Sequence, residues 1–222
     1  MNYVNPIFPS ILTTDFFDLY DKLKIFEKNK IDFIHLDVMD GHFVDNISFG
    51  PFASKSIKSK FNFKIDSHLM VSNPDKIIPK FIDADSDWIS FHIETRENIK
   101  ENISTIKQHG RIAGLVLNPD TEVNTVFPYL NDIDYILLMS VFPGYGGQKF
   151  IESTLKKVAQ LKKRIKVEGA DCLVQVDGGI NASNIPLLKE AGADFFVIGT
   201  FLYNSNNISK TLKLIQNKIN GV

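Results

Sequence analysis

Short runs of apolar residues recur along the chain and alternate with longer segments of mixed polarity. Each run has the length of a β-strand, and most are rich in isoleucine, valine or phenylalanine. The pattern predicts eight strands, over Ile7–Leu12, Phe33–Met39, Phe63–Met70, Trp88–Ile93, Ile112–Leu117, Tyr135–Val141, Leu173–Val176 and Phe195–Ile198. Near-continuous apolar strands are typical of a sheet that is covered on both faces.

The segments between the strands carry apolar residues at helical spacing. Thr14 to Lys28 contains an apolar stripe that begins at Phe17, and acidic residues in its first turn favour a helix there. Four further helices are predicted: one that opens at Asn73-Pro74, one over Glu152–Glu168, one capped by Ser183 and one over Ser205–Asn220.

Strands that alternate with helices form parallel sheets. Eight such units in 222 residues predict an α/β fold, a single (β/α)8 TIM barrel that occupies residues 1–222 as one domain. The competing doubly wound sheet usually has a glycine-rich first turn, whereas Thr13-Thr14-Asp15 follows the first strand here.

Composition and charge exclude several functional classes. The formal net charge is −1, so nothing indicates nucleic acid or an anionic membrane as a partner. A lone cysteine, Cys172, rules out an internal disulfide framework. No apolar run reaches the roughly 18 residues of a membrane-spanning helix, and the first residues lack the pattern of a signal peptide. We therefore expect a cytoplasmic protein without nucleic-acid or membrane partners.

Polar residues gather where three of the predicted strands end, which is where TIM-barrel enzymes place their chemistry. His35 and Asp37 share one face of the second strand, His68 lies near the end of the third, and Asp177 directly follows the seventh. If these faces point inward, the four side chains converge. Two imidazoles and two carboxylates suit one divalent ion of zinc, manganese, iron or cobalt. The alternative to a metal site is a structural role, in which a histidine and an aspartate form a hydrogen-bonded pair in the core or an aspartate caps the following helix.

The two carboxylates also suggest acid–base work. Asp37 and Asp177 come from strands two and seven, so a substrate held across the barrel mouth can meet one carboxylate on each face. Inversion of a carbon centre by two bases requires that arrangement. A carbon acid beside a carbonyl is too weak for a carboxylate alone, and a metal that stabilises the enediolate would lower the barrier by several kcal/mol.

Glycines follow the last three strands. They predict a site for a phosphate-bearing substrate, because glycine lets the backbone approach a ligand and barrel enzymes often bind phosphate there. The alternative is that these glycines only serve turns. The residues of this predicted phosphate site, which include one tyrosine and one threonine, are Gly144, Tyr145, Gly146, Gly147, Gly178, Gly179, Gly199 and Thr200.

Two smaller groups have open interpretations. Met39, Met70 and Met139 lie at or near strand ends and either fill the core or form an apolar collar over the reacting carbon. His92 and Glu94 share a face at the end of the fourth strand, where a satisfied core histidine is favoured over a role behind the metal ligands.

Seven motifs, in order along the chain, together resemble the ribulose-phosphate 3-epimerase family. They cover essentially the whole sequence, and their combination is highly specific. The motifs are Pro9-Ser10-Ile11-Leu12, His35-Leu36-Asp37-Val38-Met39-Asp40-Gly41-His42-Phe43-Val44, Asp66-Ser67-His68-Leu69-Met70, Leu117-Asn118-Pro119, Met139-Ser140-Val141, Pro143-Gly144-Tyr145-Gly146-Gly147-Gln148 and Val176-Asp177-Gly178-Gly179.

The resemblance implies interconversion of D-ribulose 5-phosphate and D-xylulose 5-phosphate, a step of the pentose phosphate pathway. It implies a divalent metal on His35, Asp37, His68 and Asp177, with Asp37 as proton acceptor and Asp177 as proton donor. Substrate contacts carry over to Ser10, His68, residues 144–147, residues 177–179, Gly199 and Thr200. The expected partner is a small phosphosugar, and a homo-oligomer is left open.

Some positions depart from the family pattern. Phe142 stands where the family usually has asparagine, and Gln175 stands where glutamate is common. Both leave the choice of sugar open, so an epimerase of D-allulose 6-phosphate is the nearest alternative. A phosphate-binding lyase would place a catalytic lysine at a strand end, and no predicted strand ends in one. A barrel that binds a sugar phosphate without catalysis is the third alternative.

Overall fold

The computed structural model describes residues 5–96 and 98–221. Eight parallel strands form one sheet in which each strand from β2 to β7 pairs with the next one along the chain, and β8 pairs with β1. A single bridge between Ser10 and His35 joins β1 to β2 and closes the barrel. The predicted (β/α)8 TIM barrel is confirmed. The strands are β1 (Ile7–Pro9), β2 (Phe33–Met39), β3 (Lys64–Met70), β4 (Trp88–His92), β5 (Ile112–Leu117), β6 (Tyr135–Met139), β7 (Leu173–Asp177) and β8 (Phe195–Ile198).

Helices cover the outside of the sheet. In the part of the chain that the structure describes they are α1 (Leu19–Lys28), α2 (Pro51–Lys58), α3 (Pro74–Ile82), α4 (Ile99–Gln108), α5 (Thr154–Glu168), α6 (Ile185–Ala191), α7 (Thr200–Tyr203) and α8 (Ile208–Asn220). Short 3₁₀ segments at Ile93–Thr95 and Val123–Tyr129 complete the connections. None of the described helices is long and apolar enough to cross a membrane.

Three predicted helix starts are wrong, and one of them is that of α8, which begins at Ile208 instead of Ser205 because the Asn207 side chain caps it. The first helix begins at Leu19 instead of Thr14, because the carboxylate of Asp15 accepts a hydrogen bond from the backbone N–H of Phe17 at 2.8 Å and holds a turn there. Phe17 is 94% exposed and therefore not part of the buried stripe. Ser183 does not cap α6, since Asn184 occupies the cap position and the Ser183 hydroxyl bonds Asn181 instead.

Aromatic side chains fill the amino-terminal end of the barrel. Phe8 stacks on Phe33 with 4.2 Å between ring centroids, and Trp88 lies 4.7 Å from Tyr135. Gly114 makes room for this packing, because a Cβ atom at that position would lie 2.4 Å from Cζ of Tyr135. The Tyr135 ring can therefore cross the barrel, and the aromatic layer forms a solid floor beneath the polar residues described below.

Three aspartates repeat the same contacts on every second strand. Each directly precedes β4, β6 or β8 and accepts a hydrogen bond from a backbone N–H of the strand before it. Each also pairs with a lysine of the helix that leads into that earlier strand. The sets are Asp87 with Ile65 and Lys58, Asp134 with Ala113 and Lys107, and Asp194 with Val174 and Lys162. These contacts fix neighbouring strands at the end of the barrel opposite the site.

Candidate active site

The barrel brings four predicted residues together at its carboxyl-terminal end. His35 and Asp37 lie on β2, His68 on β3 and Asp177 at the end of β7, and all four are buried. Each offers one ligand atom, and these four atoms lie within 4.8 Å of one another. Parallel pairing explains the convergence: His68 lies opposite Asp37 in the β2–β3 register, so both side chains point into the barrel.

The spacing of these atoms fits a metal ion. Nε2 of His35 lies 3.5 Å from Asp37 and 3.7 Å from Asp177. Nδ1 of His68 lies 3.4 Å from Asp37 and 3.8 Å from Asp177. A tetrahedral ion with nitrogen and oxygen ligands at about 2.1 Å separates its ligand atoms by roughly 3.4 Å.

Two buried nitrogens in the cluster lack a hydrogen-bond partner. They are Nε2 of His35 and Nδ1 of His68, the same atoms that face the two carboxylates. Buried polar atoms without a partner are costly, and natural proteins rarely retain them without a functional reason. The donor set therefore fits a divalent cation, and these four residues can hold one.

The outer nitrogen of His35 is anchored by a buried carboxylate. Nδ1 of His35 lies 2.8 Å from Oδ2 of Asp66, which also accepts a hydrogen bond from the Gln175 amide at 2.8 Å. The Tyr135 hydroxyl donates to the other Asp66 oxygen at 2.9 Å. A carboxylate behind a histidine fixes which ring nitrogen carries the proton, so Nε2 is left to face the cluster.

The outer nitrogen of His68 contacts a second histidine. Nε2 of His68 lies 2.9 Å from Nε2 of His92, and Nδ1 of His92 lies 3.0 Å from Oε2 of Glu94. The sequence interpretation favoured His92 as an ordinary core histidine. His92 is indeed buried with a partner at each ring nitrogen, and the structure adds that one of these partners is a residue of the cluster.

Ser10 orients one of the carboxylates. Its hydroxyl donates to Oδ2 of Asp37 at 2.6 Å, and this leaves Oδ1 of Asp37 to face both histidines. Ser10 is in position to do so because it follows β1 and bridges His35 at the barrel seam.

The environment drives the pKa values of the two cluster carboxyls apart. Burial, and then the charge of Asp37, raises the pKa of Asp177 to about 8. Burial also opposes ionisation of Asp37, but the charge of His35 and the close approach of both imidazoles hold the pKa of Asp37 well below its ordinary value. Such a separation leaves one carboxyl ionised and the other protonated near neutral pH in the metal-free protein.

The two histidines also differ. Burial lowers the pKa of His68 to about 4, so this ring is neutral at physiological pH. Burial acts in the same direction on His35, but the charges of Asp37 and Asp66 outweigh it and raise the pKa of His35 well above 6.5. Without a metal, the carboxylates thus hold a proton on His35 at the place where a cation would lie.

A cavity of about 270 Å³ opens next to the cluster. It is lined by Ser10, Asp37 and Asp177 and by all the predicted glycine-loop residues, namely Gly144, Tyr145, Gly146, Gly147, Gly178, Gly179, Gly199 and Thr200. Met39, Met70 and Met139 line it as well while remaining buried, so they both fill the core and form an apolar wall. Phe142 lies at the rim and is 52% exposed.

Close packing explains two of the glycines. Gly179 has φ +64°, and a Cβ atom there would lie 2.5 Å from the backbone nitrogen of Phe150. Gly178 has φ +116°, and its Cβ would lie 2.4 Å from the Val141 side chain. Both positions demand glycine for the conformation and for the space, so the β7 loop lies directly against the β6 loop.

Loops from opposite sides of the barrel meet over the mouth of the cavity. The Asn46 side chain donates to the carbonyl of Gly144 at 2.7 Å, and the Tyr145 hydroxyl donates to the carbonyl of Asp45 at 2.8 Å. His35 and Asp37 lie on β2, and these contacts connect the loop that follows β2 to the glycine loop after β6.

Sequence reasoning missed the support behind the cluster. Asp66 enters the sequence analysis only as part of a motif, and the pattern does not connect Tyr135 or Gln175 with it. The sequence carries one usable signal, which is that Asp66 stands two residues before His68 and therefore on the same face of β3.

Comparisons with known proteins agree with this geometry. Residues 6–203 match the model of the ribulose-phosphate 3 epimerase family. The chain is 42% identical over 209 residues to the ribulose-phosphate 3-epimerase of Bacillus subtilis (strain 168), covering 94% of this chain and 96% of that protein. It is 41% identical over 207 residues to that of Aquifex aeolicus (strain VF5), covering 93% of each.

Solved structures with low sequence identity share the fold. 3-Hexulose-6-phosphate synthase from Salmonella typhimurium superposes with a TM-score of 0.71 at 15% identity, over 98% of this chain and 99% of that one. Thiamine phosphate pyrophosphorylase from Pyrococcus furiosus superposes with a TM-score of 0.64 at 12% identity, over 97% of this chain and 95% of that one. The fold alone is common to all of these, whereas the family match and the close relatives are specific: this chain belongs to the ribulose-phosphate 3-epimerase family of isomerases.

Proposed function

We propose that this protein interconverts D-ribulose 5-phosphate and D-xylulose 5-phosphate by epimerisation at carbon 3 with the help of one divalent metal ion. The observation that carries the proposal is the buried cluster of His35, Asp37, His68 and Asp177, in which two nitrogens without partners face two carboxylates. The relatives described above are named for this reaction, which agrees with the proposal.

The four cluster residues would hold the cation, which is zinc, manganese, iron or cobalt by the chemistry of two imidazoles and two carboxylates. When bound, it would stabilise the negative charge that develops on the substrate oxygens as carbon 3 loses its proton. His35 and His68 present ring nitrogens whose outer partners are Asp66 and His92 respectively.

The two aspartates move the proton. Asp37, whose pKa lies below its ordinary value, is ionised and accepts the proton from carbon 3 of D-ribulose 5-phosphate. Asp177, whose pKa is raised to about 8, holds a proton and returns it to the opposite face. The value of about 8 describes the metal-free site, and a cation held by these residues would lower the pKa of Asp177 because it would stabilise the carboxylate. In the reverse reaction the roles exchange.

The glycine loops anchor the phosphate. Gly146, Gly147, Gly178, Gly179, Gly199 and Thr200 converge on one side of the cavity, where closely packed backbone can approach the ligand. Ser10 lines the cavity at the other end, beside Asp37, whereas His68, predicted as a substrate contact, is fully buried behind the lining and serves as a metal ligand. The methionine wall keeps water from the intermediate, because Met39, Met70 and Met139 face the same space.

The cavity supports epimerisation over the other reaction classes. The residues that line it include no lysine in the part of the chain that the structure describes, whereas the lyase alternative needs a lysine at the site. A barrel that only binds a sugar phosphate has no use for two aspartates whose pKa values are driven apart.

One observation favours a second substrate, D-allulose 6-phosphate. Phe142 lines the rim of the cavity where the family usually has asparagine, so an exposed aromatic ring stands at the mouth in place of an amide. Comparing kcat/KM for both sugars in the wild type and in Phe142→Asn decides between them. A ratio that favours the hexulose in the wild type and the pentulose in the variant would assign the hexulose as the natural substrate.

The test of the main proposal starts from protein stripped with a chelator and then supplied with each of the four metals in turn. D-Ribulose 5-phosphate is added, and proton NMR follows the appearance of D-xylulose 5-phosphate. We expect no product without metal and rapid formation with at least one metal. Full activity of the stripped protein would overturn the metal dependence, and no product from folded, metal-loaded protein would overturn the substrate.

A further inference from the structure

A chain of three side chains runs away from the metal cluster on the side of His68. His68 contacts His92 through their Nε2 atoms at 2.9 Å, and His92 contacts Glu94 at 3.0 Å. Both imidazoles are fully buried. Phe43 packs against the His92 ring with 4.5 Å between centroids, so the ring is held in place on its face as well as at both nitrogens.

The far end of the chain is held by the loop after β5. Oε1 of Glu94 accepts a hydrogen bond from the backbone N–H of Asn118 at 2.8 Å and another from the Thr121 hydroxyl. The loop is itself held by Lys157, whose ammonium group donates to the carbonyl of Thr121 at 2.6 Å. Glu94 therefore has one oxygen committed to the loop and one directed at His92.

These contacts permit only one direction of hydrogen bonding. A carboxylate only accepts hydrogen bonds, so Nδ1 of His92 must carry a proton and donate to Glu94. A neutral imidazole has one N–H, and complete burial with the Phe43 ring against its face favours the neutral form of His92, so its Nε2 is an acceptor. Nε2 of His68 must then be the donor.

The consequence reaches the metal site. With its proton on Nε2, a neutral His68 ring has an unprotonated Nδ1, and Nδ1 is the atom that faces Asp37 and Asp177 without a hydrogen-bond partner. We infer that His92 and Glu94 are positioning residues that fix the tautomer of His68, so that Nδ1 presents its lone pair to the cation. The inference rests on the proposed function for its metal, but the tautomer itself is a property of the metal-free protein.

The arrangement differs from that of the other histidine ligand. His35 reaches its carboxylate, Asp66, directly at 2.8 Å, whereas His68 reaches Glu94 through an intervening imidazole. Glu94 therefore acts on the cluster at one remove, without contact to the reacting atoms.

Glu94→Gln reverses the chain with almost no change in shape. The N–H of Asn118 still needs an acceptor, so the amide oxygen stays on that side and the new NH₂ group faces His92. Nδ1 of His92 becomes the acceptor, its Nε2 becomes the donor, and the proton of His68 moves to Nδ1. A proton then occupies the position that the cation needs.

The first readout is a long-range ¹H–¹⁵N correlation spectrum of the metal-free protein, which distinguishes protonated from unprotonated ring nitrogens. Signals of His68 are assigned by their loss in His68→Gln. We expect Nε2 of His68 to be protonated in the wild type and Nδ1 to be protonated in Glu94→Gln. Thr121→Val is the matched control, because it removes a hydrogen bond from Glu94 without placing a donor opposite His92, and it should retain the wild-type tautomer.

The second readout is the dissociation constant for Zn²⁺ or Mn²⁺, measured by competition with a chelator. Glu94→Gln should weaken binding by 10- to 100-fold, the usual effect of losing a partner behind a metal ligand. Its kcat should recover at saturating metal, which a general loss of structure would not allow.

The inference is overturned if Nδ1 of His68 is protonated in the metal-free wild type, a result that stands even if the variant does not fold. It is also overturned if Glu94→Gln keeps both the wild-type tautomer and the wild-type affinity. If wild-type tautomers are as expected but no metal supports epimerisation, the proposed function fails while the inference about the tautomer holds.

Discussion

Replacing Asp177 with asparagine should stabilise the metal-free protein, and the gain should grow with pH. Burial, followed by the charge of Asp37, raises the pKa of Asp177 from 3.8 to about 8 in the native state. The native protein therefore retains a proton on Asp177 at neutral pH, whereas the unfolded chain releases it. Unfolding is thus coupled to the loss of one proton.

The pH interval follows from the two pKa values. Below pH 3.8 both states are protonated and above about pH 8 both are ionised, so the contribution of Asp177 is constant outside these limits. Between them the native state binds up to one more proton, and the free energy of unfolding falls by up to ~1.4 kcal/mol per pH unit. Asparagine cannot ionise. The stability of Asp177→Asn relative to the wild type should therefore rise by up to about 3 kcal/mol from pH 5 to pH 7.

The assay is urea unfolding of both proteins at pH 5, 6 and 7 in the presence of a chelator. Asp120→Asn, a change at an exposed position of the loop after β5, controls for the substitution itself. A difference between wild type and Asp177→Asn that is flat over this range, or that falls with pH, would refute the assignment of a raised pKa to Asp177.

Three further outcomes are expected. Tyr135→Phe removes a donor to the buried carboxylate of Asp66 and should lower the free energy of unfolding by roughly 1.5–3 kcal/mol, measured with urea; a loss under 0.5 kcal/mol would contradict the contact. Gly179→Ala should destabilise more than Gly110→Ala, because both have positive φ but only Gly179 lacks room for a Cβ atom, and equal melting temperatures would argue against the close packing of the loops. Divalent metal at 100 times its Kd should stabilise the protein against unfolding by about 2.7 kcal/mol. Metal binding should also release protons, because the cation displaces the proton on His35. Calorimetry in buffers of different ionisation enthalpy measures this release, and its absence would exclude the exchange.

The alternation of apolar runs was sufficient to predict the fold, because a parallel barrel buries both faces of every strand. The errors lie where polar side chains compete with the backbone pattern. The first strand ends at Pro9 instead of Leu12, since the chain leaves the sheet after a single bridge at Ser10. The turn held by Asp15 likewise shortens the first helix.

The inward convergence of the four cluster residues was also predictable, because residues two apart on a strand share a face and strand ends meet at one end of a barrel. The groups behind them were harder to identify. Tyr135 reaches Asp66 from across the barrel, and His92 reaches Glu94 through a 3₁₀ turn. Such contacts depend on the register between strands and on side-chain length, which periodicity does not encode.

The most direct test of the central claim is deuterium exchange at carbon 3 with metal-loaded Asp37→Asn and Asp177→Asn in D₂O, each given both epimers. If Asp37 and Asp177 each serve one face of carbon 3, neither variant should epimerise either sugar. The same assignment predicts that Asp177→Asn still exchanges the carbon-3 proton of D-ribulose 5-phosphate, and that Asp37→Asn exchanges only that of D-xylulose 5-phosphate. Epimerisation within a few-fold of wild type in either variant, or exchange of D-ribulose 5-phosphate by Asp37→Asn, would contradict the two-base account.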